Sequence, residues 1–226
     1  MLESIITSPF FGLGLCTAAW CVGCWVRKKT GFVLCNPLII AAVLIIAFLM
    51  LTGISYDYFA IGGDMLKATL GPVTVVLAVS VYEKRKVLGE HFIPVVTGCL
   101  VGSITSLVCV LGLCRLFRVD EVLTASMLPK SCTTAIAIGI SESHGGITGI
   151  AVAGVLAAGV TGAVFVPLFA KLFRVKDPVE EGVAIGACSH ALGTTKALEI
   201  GKLQGAMSSI AICICGIMTS VFVMFF

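Results

Sequence analysis

Charged side chains are scarce in this chain. Lys, Arg, Asp and Glu together make 12% of its 226 residues, about half the ~25% of a soluble domain. A soluble exterior cannot be covered with so few polar groups. That shortage excludes a soluble enzyme, a nucleic-acid binder and a disordered regulator. The net charge of +3 is too small to imply a polyanionic partner. Zinc signature, nucleotide-binding loop and nucleophile–base pair are all missing. No enzyme, cofactor or metal is therefore expected. The start, Met1-Leu2-Glu3-Ser4, lacks a basic n-region, so no cleaved signal peptide is expected either.

Apolar residues dominate instead, at 58% of the chain, with a mean hydropathy of +1.12. Such a sequence reads as an all-α, multi-pass membrane protein surrounded by membrane lipid. Eleven cysteines are present. Their close pairs, Cys21 with Cys24 and Cys213 with Cys215, lie in apolar stretches without a nearby His. They read as small packing residues. The odd count also argues against a disulfide framework.

About six full spans are expected, because a span needs ~20 apolar residues. They cover residues 5–26, 32–51, 68–82, 93–114, 147–173 and 206–226. Asn36-Pro37 opens the second as a helix start, and Gly71-Pro72 marks a kink or start in the third. Two further segments, 121–143 and 179–203, are apolar but interrupted. The first is interrupted by Leu128-Pro129-Lys130-Ser131, where proline removes a helical hydrogen bond. The second is interrupted by Ser189-His190-Ala191-Leu192-Gly193-Thr194-Thr195-Lys196, where Gly193 and the hydroxyl cluster loosen the helix. Irregular backbone at membrane depth survives only when buried in protein or lining a wet cavity. These two segments form the expected functional core.

Residues 1–120 then read as an N-terminal transmembrane region. Residues 121–226 hold two broken-segment-plus-span repeats, 121–173 and 179–226. The stretch from Gly159 to Phe169 aligns with that from Gly216 to Phe226, with five of eleven positions identical. Paired interruptions in repeated units point to a transporter binding site. Charge adds a constraint on topology. If residues 121–143 dip in and return, nine clustered basic residues face one side and two the other. The positive-inside rule favours that re-entrant hairpin.

Lys130 sits at the first interruption, and a mid-membrane charge costs at least ~2.5–3.5 kcal/mol. With Ser131, Thr133 and Thr134 it makes a candidate anion site at a half-helix N-terminus. The alternative is that Lys130 snorkels to an interface. Ser189, His190, Gly193, Thr194, Thr195 and Lys196 form the matching group, with His190 as a proton relay or a structural imidazole. Lys196 and Glu199, three residues apart, can instead pair across one helical turn. Glu142 and His144 flank Gly145-Gly146 in what reads as a hairpin tip or loop.

These motifs carry a resemblance. Leu128-Pro129-Lys130-Ser131-x-Thr133-Thr134, then Gly145-Gly146, then Ser189-His190-Ala191-Leu192-Gly193-Thr194 resemble the signature of the LrgB/CidB membrane proteins. Asn36-Pro37-Leu38 and Leu70-Gly71-Pro72-x-Thr74 fit the same family, and the likeness covers essentially the whole chain. The sequence departs from the family pattern at Ser80, where Pro is expected, and at Lys196, where Arg is frequent. Lysine keeps the charge there but loses bidentate carboxylate recognition. The resemblance implies a cell-membrane location and one of two functions. Bacterial members are antiholin-like or holin-like modulators of murein hydrolase activity and cell lysis, paired with a small LrgA/CidA-type partner. The plastidal relative is a glycolate/glycerate translocator, and bacterial relatives are linked to pyruvate or other small carboxylates. Of the two, transport of a small monocarboxylate explains the interruptions and the intramembrane lysines. A homo-oligomer is also expected.

Overall fold

The computed structural model describes residues 6–31 and 35–225, with the side chains of Val73, Thr74, Leu77, Ser80 and Pro167 outside that description. Expected positions Ile5, Phe32 and Phe226 fall outside the described residues. Those described are helical in α1 (Pro9–Thr30), α2 (Pro37–Thr52), α3 (Tyr56–Ala68), α4 (Leu70–Glu83), α5 (Arg85–Glu90) and α6 (Phe92–Leu116). Then follow α7 (Glu121–Met127), a 3-10 turn (Leu128–Ser131), α8 (Thr134–Ser143), α9 (Thr148–Leu172), α10 (Pro178–Ile200) and α11 (Lys202–Val223). The protein is an all-α, polytopic membrane protein. Helices α1, α6, α9 and α11 are long and apolar enough to cross a membrane. The stretches expected at 32–51 and 68–82 form shorter helices of 16 and 14 residues. Asn36 and Pro37 delay the start of α2, and Gly53 in the left-handed region (φ 68) ends it.

Two compact units result, residues 1–73 and 74–226. In the first, Ser8 caps α1 and Pro9 opens it. Its α1 meets α3 through glycines. A Cβ on Gly12 would sit 2.6 Å from the Phe59 carbonyl oxygen, and one on Gly62 would sit 2.7 Å from the Gly12 Cα. Two backbones approach this closely only without side chains between them, a small-residue contact typical of membrane helices.

The second unit is built on α6, α9 and α11. Val95, Cys99, Val179, Val183, Met207 and Ile210 share one buried cluster where α6, α10 and α11 begin. A second cluster joins Leu107, Val110, Cys114, Leu128, Ile140 and Val223, toward the ends of α6 and α11. The two span ends therefore hold different partners, and this places the interrupted segments.

A tetrapeptide overlooked in the sequence organises this unit. Leu116-Phe117-Arg118-Val119 recurs as Leu172-Phe173-Arg174-Val175. Both copies end a span the same way. Arg118 and Arg174 are left-handed, each at φ 53. Val119 N–H donates to the Cys114 carbonyl at 2.8 Å, and Val175 N–H to the Ala170 carbonyl at 3.0 Å. An aspartate then caps the next helix: Asp120 accepts from Leu123 N–H, and Asp177 from Val179 N–H. Span, left-handed arginine, aspartate cap and interrupted segment thus occur twice, with α9 shared between the copies.

Candidate functional site

Both interrupted segments turn back on themselves. In the first, α7 leads into the 3-10 turn that holds Pro129 and Lys130, and Cys132 is extended (φ −103, ψ 179). Thr133 then caps α8, its hydroxyl accepting from Ile136 N–H at 3.4 Å. The chain returns to where it came from. Ile147 N–H donates to the Ser126 hydroxyl at 2.7 Å, and Ile140 shares a cluster with Leu128. A Cβ on Gly146 would sit 2.6 Å from the Ser141 hydroxyl and 2.9 Å from Ser126, and Gly145 is left-handed (φ 70). Gly145-Gly146 therefore closes the hairpin root, and Glu142 and His144 are exposed there.

The second segment reverses at a single residue. His190 has φ 37 and ψ −134 inside α10. Ile185 and Ala197 share a buried cluster, although twelve positions of straight helix would separate them by about 18 Å. The turn lies at His190, within the interruption expected over residues 189–196. Gly193 lies in the returning limb, where a Cβ would meet Ser189 and Ile185. Its missing side chain serves the close approach of the two limbs.

The hairpins enter from opposite ends. Hairpin one is rooted beside Cys114 and Val223, where α6 and α11 finish. Hairpin two is rooted with Val179 and Val183 against Val95, Cys99 and Met207, where they begin. The tips meet at mid-depth. His190 Nε2 donates to the Lys130 carbonyl oxygen at 3.0 Å. The Lys130 ammonium is 3.4 Å from the Ser131 hydroxyl, which is 2.5 Å from the Ser106 hydroxyl of α6. Among the described residues Lys130 has no carboxylate partner. Both returning limbs, residues 134–143 and 191–200, start at the tips. Their backbone N–H groups and positive dipole ends converge there.

The remaining expected residues divide. Thr134 opens α8. Thr194 donates to the His190 carbonyl at 2.9 Å and therefore accepts from the Ser208 hydroxyl at 2.6 Å, bracing hairpin two against α11. Ser189 is fully buried, and among the described residues its hydroxyl has no partner. Thr195 is exposed and bonds the Ala191 carbonyl. Lys196 pairs with Glu199 at 2.8 Å, about 9 Å down the returning limb from the tip. No contact brings it to Lys130. Asn36 caps α2 by accepting from Leu38 N–H, and Pro37 follows it. Gly71 and Pro72 are exposed in the first turn of α4.

Ser106 is the site residue that sequence reading missed. Its signal was a hydroxyl one helical turn from Ser103, in a span that also carries Thr97 and Thr105.

Residues 16–226 match the model of the LrgB-like family. The antiholin-like protein LrgB of Bacillus subtilis (strain 168) is 38% identical over 213 residues, covering 94% of this chain and 92% of that protein. The antiholin-like protein LrgB of Bacillus mycoides (strain KBAB4) is 36% identical over 220 residues, covering 97% and 96%. The uncharacterized protein YxaC of Bacillus subtilis (strain 168) is 38% identical over 186 residues, covering 82% and 81%. No solved structure matches the chain.

Proposed function

Because the chain belongs to the LrgB-like family, we propose that it is an antiholin-like membrane protein that restrains cell lysis beside a small LrgA/CidA-type partner. The support is the identity of 36–38% to proteins named antiholin-like, carried over nearly the full length of both chains. Its test is complementation. The chain is expressed in Bacillus subtilis cells lacking their own LrgB, and autolysis is followed by turbidity. Restored resistance to lysis is the expected result. Lysis indistinguishable from the empty strain overturns the reading.

A second reading concerns the molecular act, and the meeting of the hairpin tips favours it. Two discontinuous segments entering from opposite ends, with half-helix N-termini converging at mid-depth, are the arrangement in which transporters hold small anions. A monocarboxylate of the glycolate, glycerate, pyruvate or lactate type would meet the Lys130 ammonium and the hydroxyls of Ser106 and Ser131. The lysine has no carboxylate of its own to neutralise it, so an anion relieves its desolvation. Purified protein in liposomes should take up such acids saturably, and Lys130→Ala should abolish uptake. Leakage of solutes irrespective of charge, unaffected by Lys130→Ala, overturns this reading and leaves a holin-like pore.

A further inference from the structure

Two cysteines from different spans meet inside the second unit. Cys99 of α6 and Cys215 of α11 are 116 positions apart and share one buried cluster. They are 0% and 3% exposed, and both are free thiols. The Cys99 thiol donates to the Ala211 carbonyl oxygen at 3.8 Å, and the Cys215 thiol to the Cys99 carbonyl oxygen at 3.8 Å. Ala211 and Cys215 lie one turn apart on α11, so Cys99 is seated between them. The two thiols are also within hydrogen-bond reach of each other. Packing accounts for a cysteine among aliphatic side chains. It does not require two thiols in contact across two helices. Their neighbours are directed elsewhere: Cys132 bonds Thr219, one turn beyond Cys215, and Cys188 is exposed on hairpin two.

Their position gives the pair leverage over both hairpins. Ser106, seven residues after Cys99 on α6, holds the tip of hairpin one through Ser131. Ser208, seven residues before Cys215 on α11, braces hairpin two through Thr194. A covalent tie between α6 and α11 therefore joins the two brackets. Hairpins could then no longer part by sliding of α6 along α11.

We propose that Cys99 and Cys215 are a redox pair that hydrogen peroxide converts to a disulfide, locking α6 to α11. Peroxide is small and uncharged, so it enters a buried apolar site that charged oxidants and redox proteins do not reach. One sulfur, as its thiolate, attacks the O–O bond and becomes a sulfenic acid, releasing one water. The second thiol then displaces the sulfenic hydroxyl, which forms the S–S bond and releases a second water. Two thiols lose two electrons and two protons in all, and one peroxide is reduced to two waters. Burial slows the first step, so the pair responds to prolonged exposure rather than to a brief pulse.

The full-length protein is reconstituted in liposomes, held in hydrogen peroxide, alkylated with N-ethylmaleimide and digested for mass spectrometry. The peptide linking Cys99 to Cys215 should exceed any link from Cys132 or Cys188 by about tenfold, because only the first pair starts in contact. Dithiothreitol, small and uncharged, should remove it. The bond closes a loop of 116 residues, so oxidised protein should unfold roughly 10 °C above reduced protein. Cys99→Ala and Cys215→Ala should each abolish that rise. The linked peptide is read in the unaltered chain, so the pair stays testable should a variant fail to fold. Free thiols at both positions while exposed Cys21 and Cys24 are oxidised overturn the pair, as does a dominant link between Cys132 and Cys215. Equal unfolding of oxidised and reduced protein overturns the lock. The pair rests on neither reading of function, but its effect on uptake rests on the monocarboxylate reading. There the bond should abolish uptake, and dithiothreitol should restore it. Absence of uptake by reduced protein counts against that reading alone, and the linked peptide still decides the pair. Uptake unchanged with the bond formed overturns its hold on the hairpins.

Discussion

The imidazole of His190 and the backbone of Lys130 are joined by one hydrogen bond of 3.0 Å, linking residues sixty positions apart at the tips of two hairpins. A carbonyl oxygen only accepts, so the proton is on Nε2, and that tautomer leaves Nδ1 as an acceptor. His190 also holds a left-handed backbone (φ 37) that a non-glycine residue adopts only at a cost. Its side chain and its backbone therefore act at the same point.

These two contributions can be separated. His190→Gly removes the bond but suits the turn, and should cost about 1–3 kcal/mol of stability for the unpaired carbonyl. His190→Ala removes the bond and keeps the strain, costing roughly 1–2 kcal/mol more than the glycine variant. Thermal unfolding in detergent compares them. An alanine variant as stable as the glycine variant would show that the turn at His190 is unstrained.

The aspartate caps give a test of the repeated design. Asp120 Oδ1 accepts from Leu123 N–H at 2.6 Å and Asp177 Oδ1 from Val179 N–H at 2.7 Å. Each opens a hairpin at its root. Asp120→Ala and Asp177→Ala should each lower stability by about 1 kcal/mol, and Asn at either position should restore most of it. The two effects should be additive, since the hairpins are rooted at opposite ends of α6 and share no partner there. A double variant far less stable than the sum would show that the roots are coupled.

Glycines in α9 and α10 separate packing from propensity. A Cβ on Gly186 would lie on the Ser208 carbonyl oxygen and 2.8 Å from the Ala211 Cβ, whereas Gly149 meets nothing within 4 Å. Gly186→Ala must push α10 off α11, at a cost of about 1–3 kcal/mol. Gly149→Ala should be neutral or stabilising by up to ~1 kcal/mol through helix propensity. Unfolding midpoints of both variants in one detergent decide it. Equal midpoints would mean that α10 and α11 are not in backbone contact.

How much of this was legible in the sequence depended on the kind of signal. Pro129 announces its break because the ring itself forbids a continuous helix. The reversal at His190 lies inside the stretch expected to be interrupted, but no residue type there marks the turning point as a proline does. Gly193, a few residues on, drew attention as the flexible residue, yet its place is in a tight contact within the hairpin. The pairing of Lys196 with Glu199 one turn away was legible from their spacing and is what the structure shows, while among the described residues Lys130 has no carboxylate partner. The hydroxyl of Ser106 was hidden because its partner, Ser131, is remote in sequence. The repeated Leu-Phe-Arg-Val was visible throughout. It was passed over because basic residues at span ends are expected for charge alone, and only the left-handed arginines show that the two copies end their spans alike.

The most direct prediction concerns topology. If both interrupted segments reverse, each has its two ends on the same side of the membrane, and the two segments use opposite sides. Straight crossings would put the ends of each segment on opposite sides. In a cysteine-free background, single cysteines are introduced at Glu121, Ser143, Glu180 and Glu199, all exposed positions near hairpin roots. A membrane-impermeant thiol reagent is then added to intact cells or to inverted vesicles. Glu121→Cys and Ser143→Cys should react from one side only, and Glu180→Cys and Glu199→Cys only from the other. The positive-inside rule adds a direction. Lys171, Arg174 and Lys176 lie at the end of α9 where hairpin two is rooted, and Arg115 and Arg118 at the end of α6 where hairpin one is rooted. The richer cluster belongs in the cytoplasm, so the second pair should react in inverted vesicles and the first in intact cells. Reaction of Glu121→Cys and Ser143→Cys from opposite sides would mean that the first segment crosses, and the tips would then have no reason to meet.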